Sequence, residues 1–246
     1  MTLSTRGRRS ATLRQQQLPF GNTWGGQRPG AGRKPASGRK GVPHRARPAH
    51  SAAHPVHVTL RSTFRPLRSQ HVFPTLCLAI KGATEREASR FRILHFSVQR
   101  DHVHLIVEAS DKRALSSGIR SVAIRIALCV NELLRRRGRF WADRWHGRDL
   151  ASPRQVRNAF SYVLTNFRKH EKSGVGHGVD PFSSGSRFDG WRDFSPGERL
   201  PRAGPYGSLV SHVVVSRAKT WLGLVGWRRV GLIRLDEAPA RGRVVR

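Results

Sequence analysis

Residues Arg100 to Glu108 read R-D-H-V-H-L-I-V-E, and the alternation of residue types along them is typical of a β-strand. One face of this strand is apolar and consists of Val103, Leu105 and Val107. The other face, expected to be the less buried one, consists of His102, His104 and Ile106. Two imidazoles side by side on one strand face can hold a metal ion. Because the chain contains 12 histidines, the alternative is a polar strand face without a ligand.

The composition indicates a polyanionic partner. The chain has 46 Lys and Arg against 15 Asp and Glu, a formal net charge of +31, and nucleic acid is the commonest partner for such a charge. A ribosomal or chromatin-type binder would show the same excess, so the charge indicates a partner and no reaction. No apolar run reaches the length of a membrane span, and no signal-peptide core is evident. We therefore expect a cytoplasmic protein without a membrane partner.

Composition also divides the chain into three parts. Residues 1–53 are rich in Arg, Gly, Pro, Gln and Ser and lack apolar periodicity, so they are predicted to be a basic disordered arm. This arm would either contact DNA or serve as a solvated linker. Residues 54–171 form the predicted folded domain. Residues 172–246 are predicted to be an irregular linker followed by a basic helical tail, with an amphipathic helix over 216–233.

The strands of the folded domain are predicted from period-two patterns. The first strand spans about 56–63, and strands at 91–98 and 102–108 form a hairpin across a three-residue connection. A further short strand lies within 140–150. With the intervening helices the order is βαββαβα. This order predicts an α+β fold, a ferredoxin-like split βαβ antiparallel sheet with helices on one side. The other sheet face is left for a ligand or another element.

The helices are predicted from apolar residues three and four apart. The first spans 67–82, where Pro74 would kink or shorten it. The second follows Asp111, a suitable N-terminal cap, and ends near Gly138. The third begins at Ser152, which precedes a proline, and runs to about residue 170 as a C-terminal helix that carries a tyrosine.

This last helix gives a possible meaning to the paired histidines. Tyr162 and Asn166 lie one turn apart on a flank of its apolar stripe. A phenol can attack a phosphodiester if a divalent ion neutralises the phosphate, and the phosphotyrosine preserves the bond energy for rejoining. Two neutral imidazoles and an amide oxygen leave such an ion its full charge. We therefore predict that His102, His104 and Asn166 bind metal and that Tyr162 is the catalytic nucleophile. The alternative is a structural, half-buried tyrosine.

Three separated motifs in this region resemble a known family. They are D-H-V-H-L-I-V-E at 101–108, F-W-A-D-R-W-H-G-R-D-L at 140–150 and A-F-S-Y-V-L-T-N-F-R-K-H at 159–170. Together they are similar to the HUH-type single-tyrosine transposases, particularly the REP-associated tyrosine transposase branch of the insertion-sequence transposases. The resemblance covers about residues 55–170 and implies a bacterial, nucleoid-associated protein, either a monomer or a homodimer.

The resemblance implies a site, a reaction and a cofactor. The paired histidines of the family fall on His102 and His104, its nucleophile on Tyr162, and its third ligand on Asn166. The implied reaction is cleavage of single-stranded DNA, often beside a hairpin, in DNA transposition or repeat mobilisation. It gives a 5′-phosphotyrosine and a free 3′-OH, with Mg²⁺ or Mn²⁺ as the cofactor. The chain departs from the family at Phe167, where proline is usual, and in its long N-terminal arm.

Two other functions compete with this one. A catalytically inactive, domesticated protein could bind single-stranded nucleic acid through a basic face and the aromatics Phe140, Trp141 and Trp145. A metal-free phosphoesterase could use the motif that starts at His57 together with the one at residues 102–104. The intact set of His, His, Tyr and Asn favours the nuclease over the inactive binding protein. The phosphoesterase needs Thr or Ser at the last position of its second motif, and the histidine there argues against that reaction.

Basic and polar side chains around the predicted site are expected to contact single-stranded or hairpin DNA. These predicted contacts are His57, Arg61, Arg144, Arg148, Arg157, Arg168 and Lys169.

Overall fold

The structure is a computed structural model that describes residues 49–86, 89–169, 178–194 and 215–237. These residues belong to one compact unit. Residues 1–48 of the predicted arm lie outside the described part of the chain.

Four strands form one antiparallel sheet. They are β1 (Val56–Arg61), β2 (Phe91–Val98), β3 (His102–Ala109) and β4 (His146–Asp149). Their spatial order is β2-β3-β1-β4, and each neighbouring pair is antiparallel. The two strands of each βαβ unit, β1 with β2 and β3 with β4, are separated by one strand of the other unit. This is the strand order of the ferredoxin-like fold. The predicted fold class is confirmed.

The helices are α1 (Phe73–Arg86), α2 (Lys112–Leu133), α3 (Pro153–Thr165) and the short α4 (Trp221–Leu224). The predicted N-terminal caps are confirmed, since the Ala114 N–H donates to the Asp111 side chain and the Gln155 N–H donates to the Ser152 hydroxyl. Both caps satisfy a backbone donor that the first helical turn leaves without an intrahelical partner.

Three predicted helix details are wrong. Helix α1 begins at Phe73 and not at residue 67. Pro74 lies in its first turn, where a missing N–H costs nothing, so of the two predicted effects of Pro74 the shortened helix is the one observed. Helix α2 ends at Leu133, well before Gly138. The helix predicted over 216–233 is instead α4 followed by a 3₁₀ turn over Gly226–Val230.

Helices α1 and α2 cover one face of the sheet and form the first core. Alternate residues of β1 and β3 point into it, and the predicted stripe of α2 is buried there, including Ile119, Val122, Ile126 and Val130. Within the described residues α2 is the one helix long and apolar enough to cross a bilayer. Since its apolar stripe packs into this core, a role as a core helix accounts for its composition.

The opposite sheet face is covered as well, and the prediction that the histidine face would be the less buried one is wrong. Helix α3 packs there together with residues from 178–194 and 215–237. The first of these segments was predicted to be irregular and the second to be a basic helical tail, and both bring apolar side chains such as Phe188, Trp191 and Trp227 into a second core. His104 is consequently only 3% exposed.

Two carboxylates hold the C-terminal segment on this face. Glu108, only 1% exposed, accepts hydrogen bonds from Arg92, from the backbone N–H groups of Lys219 and Thr220, and from the Thr220 hydroxyl. Glu237 forms a bidentate pair with Arg157 of α3 and accepts a hydrogen bond from Ser161. Strand β3 and helix α3 are therefore both tied to residues 215–237.

Candidate active site

The two predicted metal ligands lie side by side on β3. The ring centroids of His102 and His104 are 4.6 Å apart, with the ring planes at 83°. His104 is buried, whereas the His102 side chain is 22% exposed. The alternation of the strand thus places both imidazoles on the sheet face that α3 covers.

An aspartate just before this motif orients the first imidazole. His102 Nδ1 lies 2.7 Å from Asp101 Oδ1, so the ring donates to the carboxylate. Burial acts to raise the pKa of Asp101, but the hydrogen bond from His102 and the positive charges of Arg65 and Arg61 outweigh it and hold that pKa below its usual range. With Nδ1 engaged, Nε2 is the nitrogen through which His102 would bind a metal.

Side chains of β1 engage the second imidazole. Thr59 pairs with His104 in the sheet register, and its Oγ1 lies 3.2 Å from His104 Nδ1. His57 Nε2 lies 3.1 Å from the same nitrogen. A His104 ring that binds metal through Nε2 carries its proton on Nδ1 and donates it to these two acceptors.

His57 is neutral at physiological pH. Burial, followed by the charges of Arg148 and His102, lowers its pKa from 6.5 to about 4. A neutral imidazole keeps one nitrogen as an acceptor, as the contact with His104 requires.

The tyrosine of α3 joins this group of rings. The ring of Tyr162 lies 5.1 Å from that of His104 and 5.7 Å from that of His57, between centroids, in edge-to-face arrangements. Tyr162 is half-buried, and burial raises the pKa of its phenol. The structure therefore brings the predicted nucleophile together with the predicted paired histidines, although they are far apart in sequence.

Asn166 lies where α3 ends and a 3₁₀ turn begins. Its backbone N–H donates to the Tyr162 carbonyl, and the residue is 2% exposed. The fold thus fixes Asn166 one turn after the tyrosine. Its role as a metal ligand stays a prediction.

The donor set limits how a divalent ion could be held here. No cluster of three or more His, Cys, Asp or Glu side chains with metal-binding geometry occurs within the described ranges. An ion would therefore depend on the two Nε2 atoms and an amide oxygen, with its remaining positions open to water or phosphate.

Four of the predicted DNA contacts fall into three groups. Arg61 and Arg148 are exposed on the histidine side of the sheet, where Arg148 pairs with His57 in the register. Arg144 is exposed just before β4. Arg157 donates to Glu237 and to the carbonyls of residues 231 and 232, and its side chain is 16% exposed, so its guanidinium is used inside the protein.

The remaining predicted contacts differ in how much the structure describes. The backbone of Arg168 and Lys169 belongs to the 3₁₀ turn that follows α3, while their side chains lie outside the described residues. His57, predicted to face nucleic acid, contacts His104 and Tyr162 within the ring cluster.

The metal-free phosphoesterase would use the first histidine of each motif, His57 and His102, with Thr or Ser two residues later in each. His104 stands at that position of the second motif, and its Nδ1 contacts His57 Nε2 at 3.1 Å and Thr59 Oγ1 at 3.2 Å. An imidazole therefore occupies the place of the hydroxyl that this reaction needs, which argues against it.

Residues 57–164 match the model of a family described as "Transposase IS200 like". A solved structure, "Structure of the REP associates tyrosine transposase bound to a REP hairpin", is similar to the chain with 20% sequence identity and a TM-score of 0.48. The similarity covers 65% of this chain and 95% of that one. No protein with a curated description matches.

Proposed function

Because the domain over residues 57–164 belongs to the IS200-like transposase family, we propose that this chain nicks and rejoins single-stranded DNA through a 5′-phosphotyrosine on Tyr162. Its substrates are single strands, including those beside hairpins, and the reaction depends on Mg²⁺ or Mn²⁺. The activity serves DNA transposition or the mobilisation of repeats, in the cytoplasm.

One observation carries this proposal, the contact between the Tyr162 and His104 rings at 5.1 Å. A nucleophile that acts beside a metal held by the paired imidazoles must lie against them, as Tyr162 does. Three further polar side chains, Asp101, His57 and Thr59, engage the Nδ1 atoms of those imidazoles. Polar side chains arranged behind two imidazoles are typical of metal sites, where such partners fix ring orientation and tautomer.

The proposed step is an in-line transfer at phosphorus. The phenolic oxygen of Tyr162 forms a bond to phosphorus while the bond from phosphorus to the O3′ of the preceding nucleotide breaks. The phenolic proton passes to solvent, and the leaving O3′ takes up a proton to become a free 3′-OH. Attack by a 3′-OH on the phosphotyrosine reverses these bond changes and rejoins a strand.

The residues around the phenol have separate tasks in this step. Because burial raises the pKa of Tyr162, the phenol is protonated at neutral pH, and its deprotonation is part of the barrier. His102, His104 and Asn166 would hold the cation, which when bound supplies charge neutralisation at the phosphate. Arg61 and Arg148 lie on the same side of the sheet and are proposed to contact the flanking phosphates.

The test is the formation of a covalent adduct. The protein is mixed with a labelled single strand that flanks a hairpin, with Mn²⁺, and resolved on a denaturing gel. We expect a labelled protein band that is lost with Y162F and with H102A. The matched control is Y206F, because Tyr206 is the chain's other tyrosine, and its adduct should equal that of the wild type.

The outcomes separate the two functions that remain. An adduct that survives in Y162F would refute the assigned nucleophile. Tight binding without any adduct in the wild type, over Mg²⁺ and Mn²⁺ and several hairpin strands, would instead support the catalytically inactive single-strand binder.

A further inference from the structure

A groove runs along α2 on the side of the sheet opposite the candidate active site. One wall is α2 and the other is the segment 141–145 that leads into β4. The groove has a volume of about 840 Å³, and a shallower depression of about 520 Å³ continues it toward the C-terminal end of α2. We call the larger one the α2 groove. Its lining includes Arg113, Ser117, Arg120, Trp141, Arg144 and Trp145.

The charge of the α2 groove is strongly positive. Arg113, Ser117 and Arg120 are exposed and follow one face of α2 at the spacing of one and two helical turns. Arg144 faces them from the other wall, and Asp143 is the one acidic residue among the described lining residues. Within the described part of the chain, no carboxylate forms an ion pair with Arg113 or Arg120. This row of charge suits a chain of phosphates.

The second wall of the groove contributes aromatic surface. The Trp141 indole N–H donates to the Ala123 carbonyl at 2.9 Å, which pins this side chain to α2. The Trp145 ring lies over Gly147, where an added Cβ would come within 2.5 Å of it. Both indoles are half-buried and line the groove. A basic groove with fixed aromatic side chains is the combination that binds single-stranded nucleic acid, by phosphate contacts and base stacking.

Strand β4 connects the α2 groove with the candidate active site. It is an edge strand, and its residues 146–148 are exposed. In the register His146 pairs with Thr59 and Arg148 pairs with His57, so both lie beside the histidine cluster. Trp145 immediately precedes β4 and lines the groove. Basic residues therefore lead from one sheet face to the other around this edge.

We propose that the α2 groove is a second single-stranded DNA site, which binds the strand that continues from Tyr162 around the β4 edge. The path of the strand from Tyr162 rests on the proposed nicking function. The ability of the α2 groove to bind a single strand rests on its own charge and aromatic lining. Holding the continuing strand there would keep a cut strand on the protein until it is rejoined.

The test measures equilibrium binding without a divalent ion, so that no cutting occurs. Fluorescence anisotropy of a labelled oligo-dT of about 16 nucleotides is followed as the salt concentration rises. Loss of two phosphate contacts in R113A/R120A should reduce the slope of log K against log salt by about 1.4, since a single strand gives about 0.7 per contact. S117E should also weaken binding, because it places a negative charge in the groove at an exposed helical position.

The matched control is R192A/R229A, which removes the same charge from exposed positions on the α3 side of the sheet. Its salt slope should stay close to that of the wild type. Equal slopes for both double variants would overturn the proposal. A loss that appears only with a hairpin stem, or a change in oligomeric state without a change in binding, would overturn it too, because the groove would then take duplex or a second copy of the chain.

A parallel adduct assay keeps this inference distinct from the proposed function. With a short strand that spans only the cut site, R113A/R120A should form the Tyr162 adduct as the wild type does. If the wild type forms no adduct but R113A/R120A loses affinity for oligo-dT, the nicking function fails and the groove stands. If the adduct forms and affinity is unchanged, the groove fails alone.

Discussion

Single residues around the paired histidines set how a metal would be held. Asp101 and Thr59 engage one nitrogen of each ring, and His57 adds a second contact to His104. The motif predicted His102, His104 and Tyr162 as a group, because a motif carries its residue types in order. It did not predict Asp101 as a partner, although its position directly before His102 was a usable signal. The role of His57 depends on the register between β1 and β3, which no local pattern specifies.

Replacing Asp101 should weaken metal binding more than it weakens the fold. In D101N the side chain no longer attracts the His102 proton as a carboxylate does, so the ring loses both orientation and basicity. Changes to such partners lower metal affinity by about 10- to 100-fold. Titration with Mn²⁺ followed by electron paramagnetic resonance measures this. D236N, which changes an exposed aspartate outside the site, is the control, and an equal affinity in both variants would contradict the orienting role.

Arg148 and Arg157 should respond differently to the same substitution. Arg148 is exposed beside His57, so R148A should reduce the salt slope of single-strand binding by about 0.7 and leave the urea midpoint unchanged. Arg157 is paired with Glu237, so R157A should lower the free energy of unfolding by about 2 kcal/mol. The two variants remove the same charge and control for one another. A reversal of the two results would restore the sequence-based prediction that Arg157 contacts DNA.

At the scale of elements, the periodic spacing of apolar residues predicts some of the helices and strands but not the segments without a period. Strands β1 to β3, the hairpin and helix α2 follow from residues two, three and four apart. The segment 178–194 has no period and packs through long-range contacts, such as the 2.7 Å ion pair of Arg68 with Asp180 and the bonds of Ser184 to β2. Such contacts join residues that are far apart in sequence, so a pattern over a short stretch of sequence does not reveal them. The covered histidine face was missed for this reason.

The attachment of the C-terminal segment to β3 depends on one buried carboxylate. E108Q removes the charge opposite Arg92, and the neutral amide cannot accept all the donors of residues 219 and 220. Breaking a buried pair by changing one partner costs about 3 kcal/mol, and residues 215–237 should become more accessible to protease. Urea unfolding and limited proteolysis measure the two effects. The control is E85Q, whose exposed pair with Lys81 contributes at most about 0.5 kcal/mol. Equal effects would show that Glu108 is not the anchor.

At the scale of the whole molecule, the chain carries a formal net charge of +31, and its described residues form two cores that share one sheet. Several of the acidic residues that the structure describes stabilise the fold. Asp111 caps α2, Glu108 and Glu237 hold the C-terminal segment, and Asp180 pairs with Arg68. Because Lys and Arg outnumber Asp and Glu by 46 to 15, we expect association with DNA to depend strongly on salt.

The stability of the whole fold should fall in mild acid. Burial lowers the pKa of His95 from 6.5 to about 4, so below pH 6.5 the unfolded chain binds a proton that the folded chain does not. The contribution of His95 to the free energy of unfolding is fully present above pH 6.5. It is lost as the pH falls toward 4, by on the order of 2 kcal/mol. Urea unfolding between pH 7 and pH 4.5 measures the loss. H95N, which can keep the contact with Ser184, should flatten the profile, whereas H146N, at an exposed position, should not.

The salt bridge between Arg157 and Glu237 has a practical consequence for fusing this protein to another. Arg157 precedes Tyr162 by little more than one turn of the same helix, so a load applied beyond residue 237 is carried to the helix that bears the phenol. A bulky cargo joined there through a short linker would therefore displace the Tyr162 hydroxyl, whereas a long flexible linker would leave it in place.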